Sequence, residues 1–191
     1  MTPPELAAAF AVAVLIGVGG FIVLTSYNAI VALRQRSDKA WSNIDVVLKQ
    51  RHDQLPNLVS AVRGLMTYER DVLTRVTEAR AAYSPTAPIP DQAATSEATT
   101  AAVQTLFAVV ERYPEVRSGT NVLDLQDEIE RIEAMIADRR ELYNDQVYRY
   151  NTRIGQVPGA LLAPLFGWQR REFFVADATD TIRPDADLRS A

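Results

Sequence analysis

From Leu6 to Leu24 the chain runs LAAAFAVAVLIGVGGFIVL, nineteen residues without a charge. A helix of about 20 apolar residues is what crosses the hydrocarbon core of a bilayer. Its start is well marked. Thr2 can cap, Pro3 and Pro4 suit a first helical turn, and Glu5 completes a Thr-x-x-Glu capping box. Tyr27 follows Thr25 and Ser26, where interfacial aromatic residues gather.

A cleaved signal peptide is the alternative. It needs a positive leading region, and no Lys or Arg precedes Arg34. It also needs a small-residue cleavage site, for which Thr25-Ser26-Tyr27 is a poor match. The residues therefore predict a retained single-pass anchor, residues 1–26, that meets the lipid bilayer through residues 5–26. Only Glu5 precedes the span, whereas Arg34, Arg36 and Lys39, then Lys49 and Arg51, follow it. The positive-inside bias places the body of the protein in the cytoplasm. Ala9, Ala13 and Gly17 form a small-xxx-small stripe along which two membrane helices can approach. That leaves a homo-oligomer open, although Ala and Gly are common in such spans.

Beyond the span the pattern is helical throughout. Ile30, Ile44, Leu58 and Leu65 share a seven-residue repeat, interrupted by Ser37 and Arg51. Trp41, Leu48, Leu55 and Val62 form a second. Together they make a stripe wider than a two-stranded coiled-coil seam, suited to a small bundle. Between Pro4 and Pro85 there is one proline, Pro56, and after Gly20 one glycine, Gly64. One helix is therefore expected to run to about Tyr83, kinked where Pro56 deprives the His52 carbonyl of its partner. The less favoured alternative is a new helix starting at Pro56.

The proline-rich turn 84–90 precedes a second helix from Asp91 to about Arg112, and 113–121 reads as a linker. A third helix should start near Asn121. There Val122, Ile129, Ile136, Tyr143, Tyr150 and Val157 recur every seven residues, and Gly155 and Pro158 mark its end. The apolar segment 159–175, GALLAPLFGWQRREFFV, is too short and interrupted to span a membrane. Its aromatic residues are too large to leave in water, so it should be ordered, capping the bundle or docking a protein partner. The expected fold is all-α. One transmembrane helix continues into a long antiparallel bundle of three main helices over residues 27–175, and an acidic, disordered tail covers 176–191.

Little chemistry is legible. With no cysteine and one histidine, thiolate chemistry and multi-histidine metal sites are excluded. A net charge of −4 argues against nucleic acid as a partner. The carboxylates Asp127/Glu128 and Glu130/Glu133 alternate with the apolar heptad, which reads as a solvated face. His52, at the centre of LKQRHDQLPN, has no partner histidine or thiol and reads as a surface or hydrogen-bonded side chain. Arg51 and Arg139 interrupt apolar stripes and are candidates for internal ion pairs. If the third helix starts level with residues 45–52, Asp124, Asp127 or Glu128 would meet Arg51. The competing reading is that Arg51 snorkels to solvent along its stem.

Several runs together resemble the LemA family. In the N-terminal half these are Tyr27-Asn28, Ala40-Trp41-Ser42-Asn43-Ile44-Asp45-Val46, Leu48-Lys49-Gln50-Arg51-His52-Asp53 and Pro56-Asn57-Leu58-Val59. Tyr113-Pro114, Leu125-Gln126-Asp127-Glu128, Arg140, Tyr143-Asn144, Tyr150-Asn151-Thr152, Pro158, Phe166-Gly167 and Phe173-Phe174 are similar to its C-terminal half in order and spacing. The likeness covers about residues 20 to 175, with departures at Gln50 and Trp168 and the acidic tail outside it. The resemblance implies a bacterial inner-membrane protein with one N-terminal span and a helical-bundle body. It supplies no catalytic, cofactor or metal residues, so none are assigned, and the chain is not expected to be an enzyme. Three functions compete: a membrane-tethered interaction scaffold, a ligand-binding or catalytic bundle using acidic residues between helices, and an envelope-facing assembly or stress factor of the same fold. A deep polar pocket with convergent carboxylates would favour the second.

Overall fold

The computed structural model describes residues 3–63, 69–114 and 120–175. Among these the chain is helical, with no strand: α1 (Pro3–Arg63), α2 (Arg70–Ala81), α3 (Ile89–Val110), α4 (Thr120–Gly155) and α5 (Gly159–Phe166). It divides into two compact units. One holds residues up to Ala40 with Asp145–Arg171, and the other holds Trp41–Asn144 with the chain from Glu172.

Among the described residues the three expected main helices are replaced by five helices. The first does not run to Tyr83: α1 ends at Arg63, and α2 is a separate helix. Pro56 lies inside α1 and does not start a new helix. The second and third expected helices correspond to α3 and α4. Segment 159–175 contains a helix as well, α5, despite Pro164 in its last turn. Gly167 stops it in the left-handed region, at φ 63°. The Trp168 N–H then reaches back to the Ala163 carbonyl at 2.9 Å, closing the C-terminus. The acidic tail lies outside the described residues.

In the first unit the core gathers Ile30, Tyr150, Ile154, Leu162 and Trp168, with Tyr27, Val31, Leu33 and Ala163 packed against it. Ser37 continues the Ile30 repeat and is buried, its hydroxyl returned to the Leu33 carbonyl at 3.1 Å. Gly159 seats α5. A methyl group there would strike the Arg153 carbonyl and press on Ile30 Cδ1 at 3.2 Å, so only glycine fits this approach. Asn151 clamps the backbone of Arg171, accepting from its N–H at 2.9 Å and donating to its carbonyl at 2.9 Å. The span residues Phe10–Leu24 are exposed, and among the described side chains of α1 the first buried one is Ser26.

In the second unit Ile44, Leu48, Leu55, Leu58 and Val62 of α1 are buried, as are Val122, Ile129, Ile132, Ile136 and Tyr143 of α4. Both heptad stripes therefore face inward. Among the described residues Val157 is the exception, exposed beyond the end of α4, and Leu65 of the α1 repeat lies outside them. Trp41 stacks obliquely on Tyr143 at 5.5 Å and on Phe174 at 5.9 Å. Asn144 clamps Phe174 as Asn151 clamps Arg171, accepting at 2.8 Å and donating at 3.3 Å. The Tyr143 hydroxyl donates to the Glu172 carbonyl at 2.9 Å. The buried Trp168 and Phe174 agree with the expectation that 159–175 is ordered, while Phe166 stays half exposed.

Candidate functional site

The most concentrated polar chemistry lies in the second unit, around the interruption in the α1 stripe. Arg51 occupies the heptad position between Ile44 and Leu58 and is only 4% exposed. It does not snorkel. Its Nη1 donates to both Glu133 oxygens, at 2.9 and 3.1 Å, and to Thr100 Oγ1 at 3.0 Å. Nη2 donates to the Ser96 hydroxyl at 2.9 Å and to the Ser96 carbonyl at 3.3 Å. Thr100 in turn donates to Glu133 Oε2 at 2.7 Å. Charge-assisted bonds of this kind are what a buried cation requires.

The partner is not Asp124, Asp127 or Glu128 but Glu133. Gln54, one turn further along α1, donates to Glu128 at 3.1 Å. The faces of α1 around residues 51–54 thus meet α4 well inside that helix, not at its start. The expected register followed from extending the first helix to Tyr83. Because α1 ends at Arg63, α4 begins beyond the level of Gln54. The acidic face is correspondingly split: Asp124, Asp127 and Glu130 are exposed, whereas Glu133 is drawn inward.

Arg139 shows no such complement among the described residues. None of the ion pairs found among the described residues includes it, and its Nε is buried without a hydrogen-bond partner. Among the described residues, then, the expected ion pair is not found.

His52 lies beside the network, its Nδ1 3.2 Å from Asp53 Oδ1 and its ring 5.2 Å from that of Tyr83. Its carbonyl, deprived of a helical donor by Pro56, receives the Arg80 Nε at 3.0 Å. Tyr83 donates to Asp45 Oδ1 at 3.4 Å. Burial, then the charge and hydrogen bond of Asp45 and the charge of Asp53, push the Tyr83 phenol above its ordinary value, while Arg51 opposes them. The space enclosed by Arg51, His52, Arg80, Tyr83, Gln92 and Ser96 is about 10 Å³, room for one water at most.

On the other side of Glu133, α3 and α4 border an open groove of about 410 Å³, lined by Glu97, Thr100, Gln104, Glu133, Arg140 and Phe174 among others. Its two carboxylates are both engaged: Glu133 by Arg51, and Glu97 by Arg140 at 3.1 Å. Among the described residues no three His, Asp or Glu side chains come together as metal ligands would.

Sequence reasoning missed the role of the two Tyr-Asn pairs. Their seven-residue repetition, Tyr143-Asn144 and Tyr150-Asn151, was the available signal. Each asparagine holds one residue of the C-terminal segment by both backbone groups.

These features define an all-helical protein with one long apolar helix, whose buried charge is matched from within. The sequence profile of the LemA family matches residues 40–187, and the chain belongs to that family, a membrane-associated helical one. The match starts later than the likeness read from the motifs and takes in most of the acidic tail. Magnetosome protein MamQ 2 and Magnetosome protein MamQ 1 of Paramagnetospirillum magneticum are each 38% identical over 69 residues, 36% of this chain. Magnetosome protein MamQ of Magnetospirillum gryphiswaldense is 35% identical over 69 residues. The matched stretch spans a quarter of the length of these relatives, 25% in each case.

Proposed function

We propose that this chain is a membrane-anchored, non-enzymatic scaffold whose body is an antiparallel helical bundle. Residues 5–26 hold it in a bacterial inner membrane, and the Arg/Lys-rich flank after the span keeps the body in the cytoplasm. The observation that carries the reading is the state of the groove: each carboxylate lining it is closed by an arginine, leaving neither free for acid–base work. The bundle reading draws on contact order. Trp41 meets Tyr143, Arg51 meets Glu133 and Gln54 meets Glu128, so partners descend along α4 as they ascend along α1.

A ligand-binding bundle is the second reading, favoured by the size of the groove beside Thr100 and Glu133. Proximity labelling in the native membrane separates the two. The full-length chain is compared with the same span fused to an unrelated helical body. A scaffold gives a neighbour set that depends on the native body and survives Glu97→Gln. Neighbours equal to those of the control, or lost in Glu97→Gln, contradict it.

A further inference from the structure

Three exposed apolar side chains follow one another at four-residue spacing along and just before α5: Val157, Leu161 and Leu165, at 76%, 67% and 78% exposure. Residues four apart share a helix face, so Leu161 and Leu165 point the same way. The opposite side of α5 is spoken for. Gly159 is pressed against Ile30, and Leu162 lies in the core with Ile30 and Trp168.

Where α5 is seated along α1 decides what covers its outer face. Phe166 meets the Tyr27 ring edge-on at 4.8 Å and stacks on Trp168 at 5.1 Å, and Tyr27 lies 5.5 Å from Trp168. Arg153 Nη2 reaches Ser26 Oγ at 3.4 Å. All these contacts fall within the first unit. The apolar span ends at Leu24, so at 1.5 Å per residue Tyr27 and Ile30 lie roughly 4.5 and 9 Å beyond it. The polar layer outside the hydrocarbon core is about 5–8 Å thick on each side. α5 is therefore held at the depth of the headgroups by its contacts with the first turns of α1 after the span.

We infer that α5 is an interfacial element, with Val157, Leu161 and Leu165 set into the headgroup–acyl boundary of the same bilayer that the span crosses. The inference rests on the membrane anchorage proposed above. The surface is continuous with one that lipid must already cover: Phe21, Ile22 and Leu24 are exposed on α1 just before Ser26. Tyr27, Phe166 and Trp168 form an aromatic cluster at the level where such rings prefer to sit. The exposed Arg170, just beyond α5, places a cation where anionic headgroups would meet it. A protein partner would explain an apolar stripe equally well, but not its fixed depth beside the end of the span.

The absence of cysteine allows a direct test. The full-length chain is reconstituted into vesicles of phosphatidylethanolamine and phosphatidylglycerol. A single environment-sensitive fluorophore is attached at Leu165→Cys, Leu15→Cys or Thr86→Cys. Nitroxide lipids labelled near the headgroup or at the acyl end report depth. The residue-165 probe should be quenched about twofold or more better by the shallow label than by the deep one, and the residue-15 probe in the reverse order. The residue-86 probe should respond only to aqueous iodide. Adding Leu161→Glu, which puts a charge into the stripe without touching the core side of α5, should release the residue-165 probe towards water. A residue-165 probe as open to iodide as residue 86, with residue 15 still quenched by lipid, overturns the inference and leaves the anchor standing. A residue-165 probe shielded from iodide yet untouched by either lipid label assigns the stripe to a second copy of the chain and also overturns it. A residue-15 probe that the deep label does not quench overturns the anchor itself, and the inference with it.

Discussion

The Nε of Arg80 donates to the carbonyl oxygen of His52 at 3.0 Å, filling the vacancy that Pro56 creates four residues further along α1. A proline inside a helix removes one hydrogen bond and leaves a carbonyl to be satisfied elsewhere. Here the donor comes from α2. Arg80→Met should lower stability by about 1–2 kcal/mol in denaturant unfolding of the full-length chain. In a Pro56→Ala background the helix supplies its own N–H, and the same change should cost less than about 0.5 kcal/mol. An equal cost in both backgrounds would show that Arg80 acts through something other than this carbonyl.

That contact also shows where the sequence stopped being legible. The heptads named the inward faces of α1 and α4 because burial repeats with the helix, and even the breaks at Ser37 and Arg51 lay on the buried stripe. The orphaned His52 carbonyl could be foreseen from Pro56 alone. Its donor could not, because the apolar periodicity continues past Arg63 and does not announce the end of α1 there. Missing that end shifted the register of α4 and named the wrong carboxylates for Arg51. The need for a partner is local and can be read from one residue. The identity of the partner depends on how many turns each helix has.

Arg51 and Glu133 form a buried charge pair whose members do not tolerate separation. Removing one partner of such a pair leaves an unmatched charge and commonly costs about 3–5 kcal/mol. Glu133 keeps some exposure, so Arg51→Met or Glu133→Leu alone should destabilise by about 2–4 kcal/mol. The double variant should recover at least half of the summed loss. Additive losses in a double-mutant cycle would mean that the two side chains are energetically independent despite the 2.9 Å contact.

Tyr83 should make stability sensitive to alkaline pH. Its phenol is held neutral above its ordinary value, first by burial and then by Asp45. The folded state then binds the proton more tightly than the unfolded chain. Its contribution is fully present below the unfolded value and is lost as pH rises through the raised folded one. Urea midpoints of the full-length chain should fall over that interval, and Tyr83→Phe should flatten the fall. Identical slopes for the two proteins would remove Tyr83 as the cause.

As the proposed tether, the span must stay with the body in the mature protein. Mass measurement of the chain recovered from carbonate-washed native membranes tests this directly. A retained anchor predicts that the membrane-bound species still carries Leu6–Leu24. A membrane-bound or released species lacking the first ~25 residues would contradict it, identifying the segment as a cleaved leader.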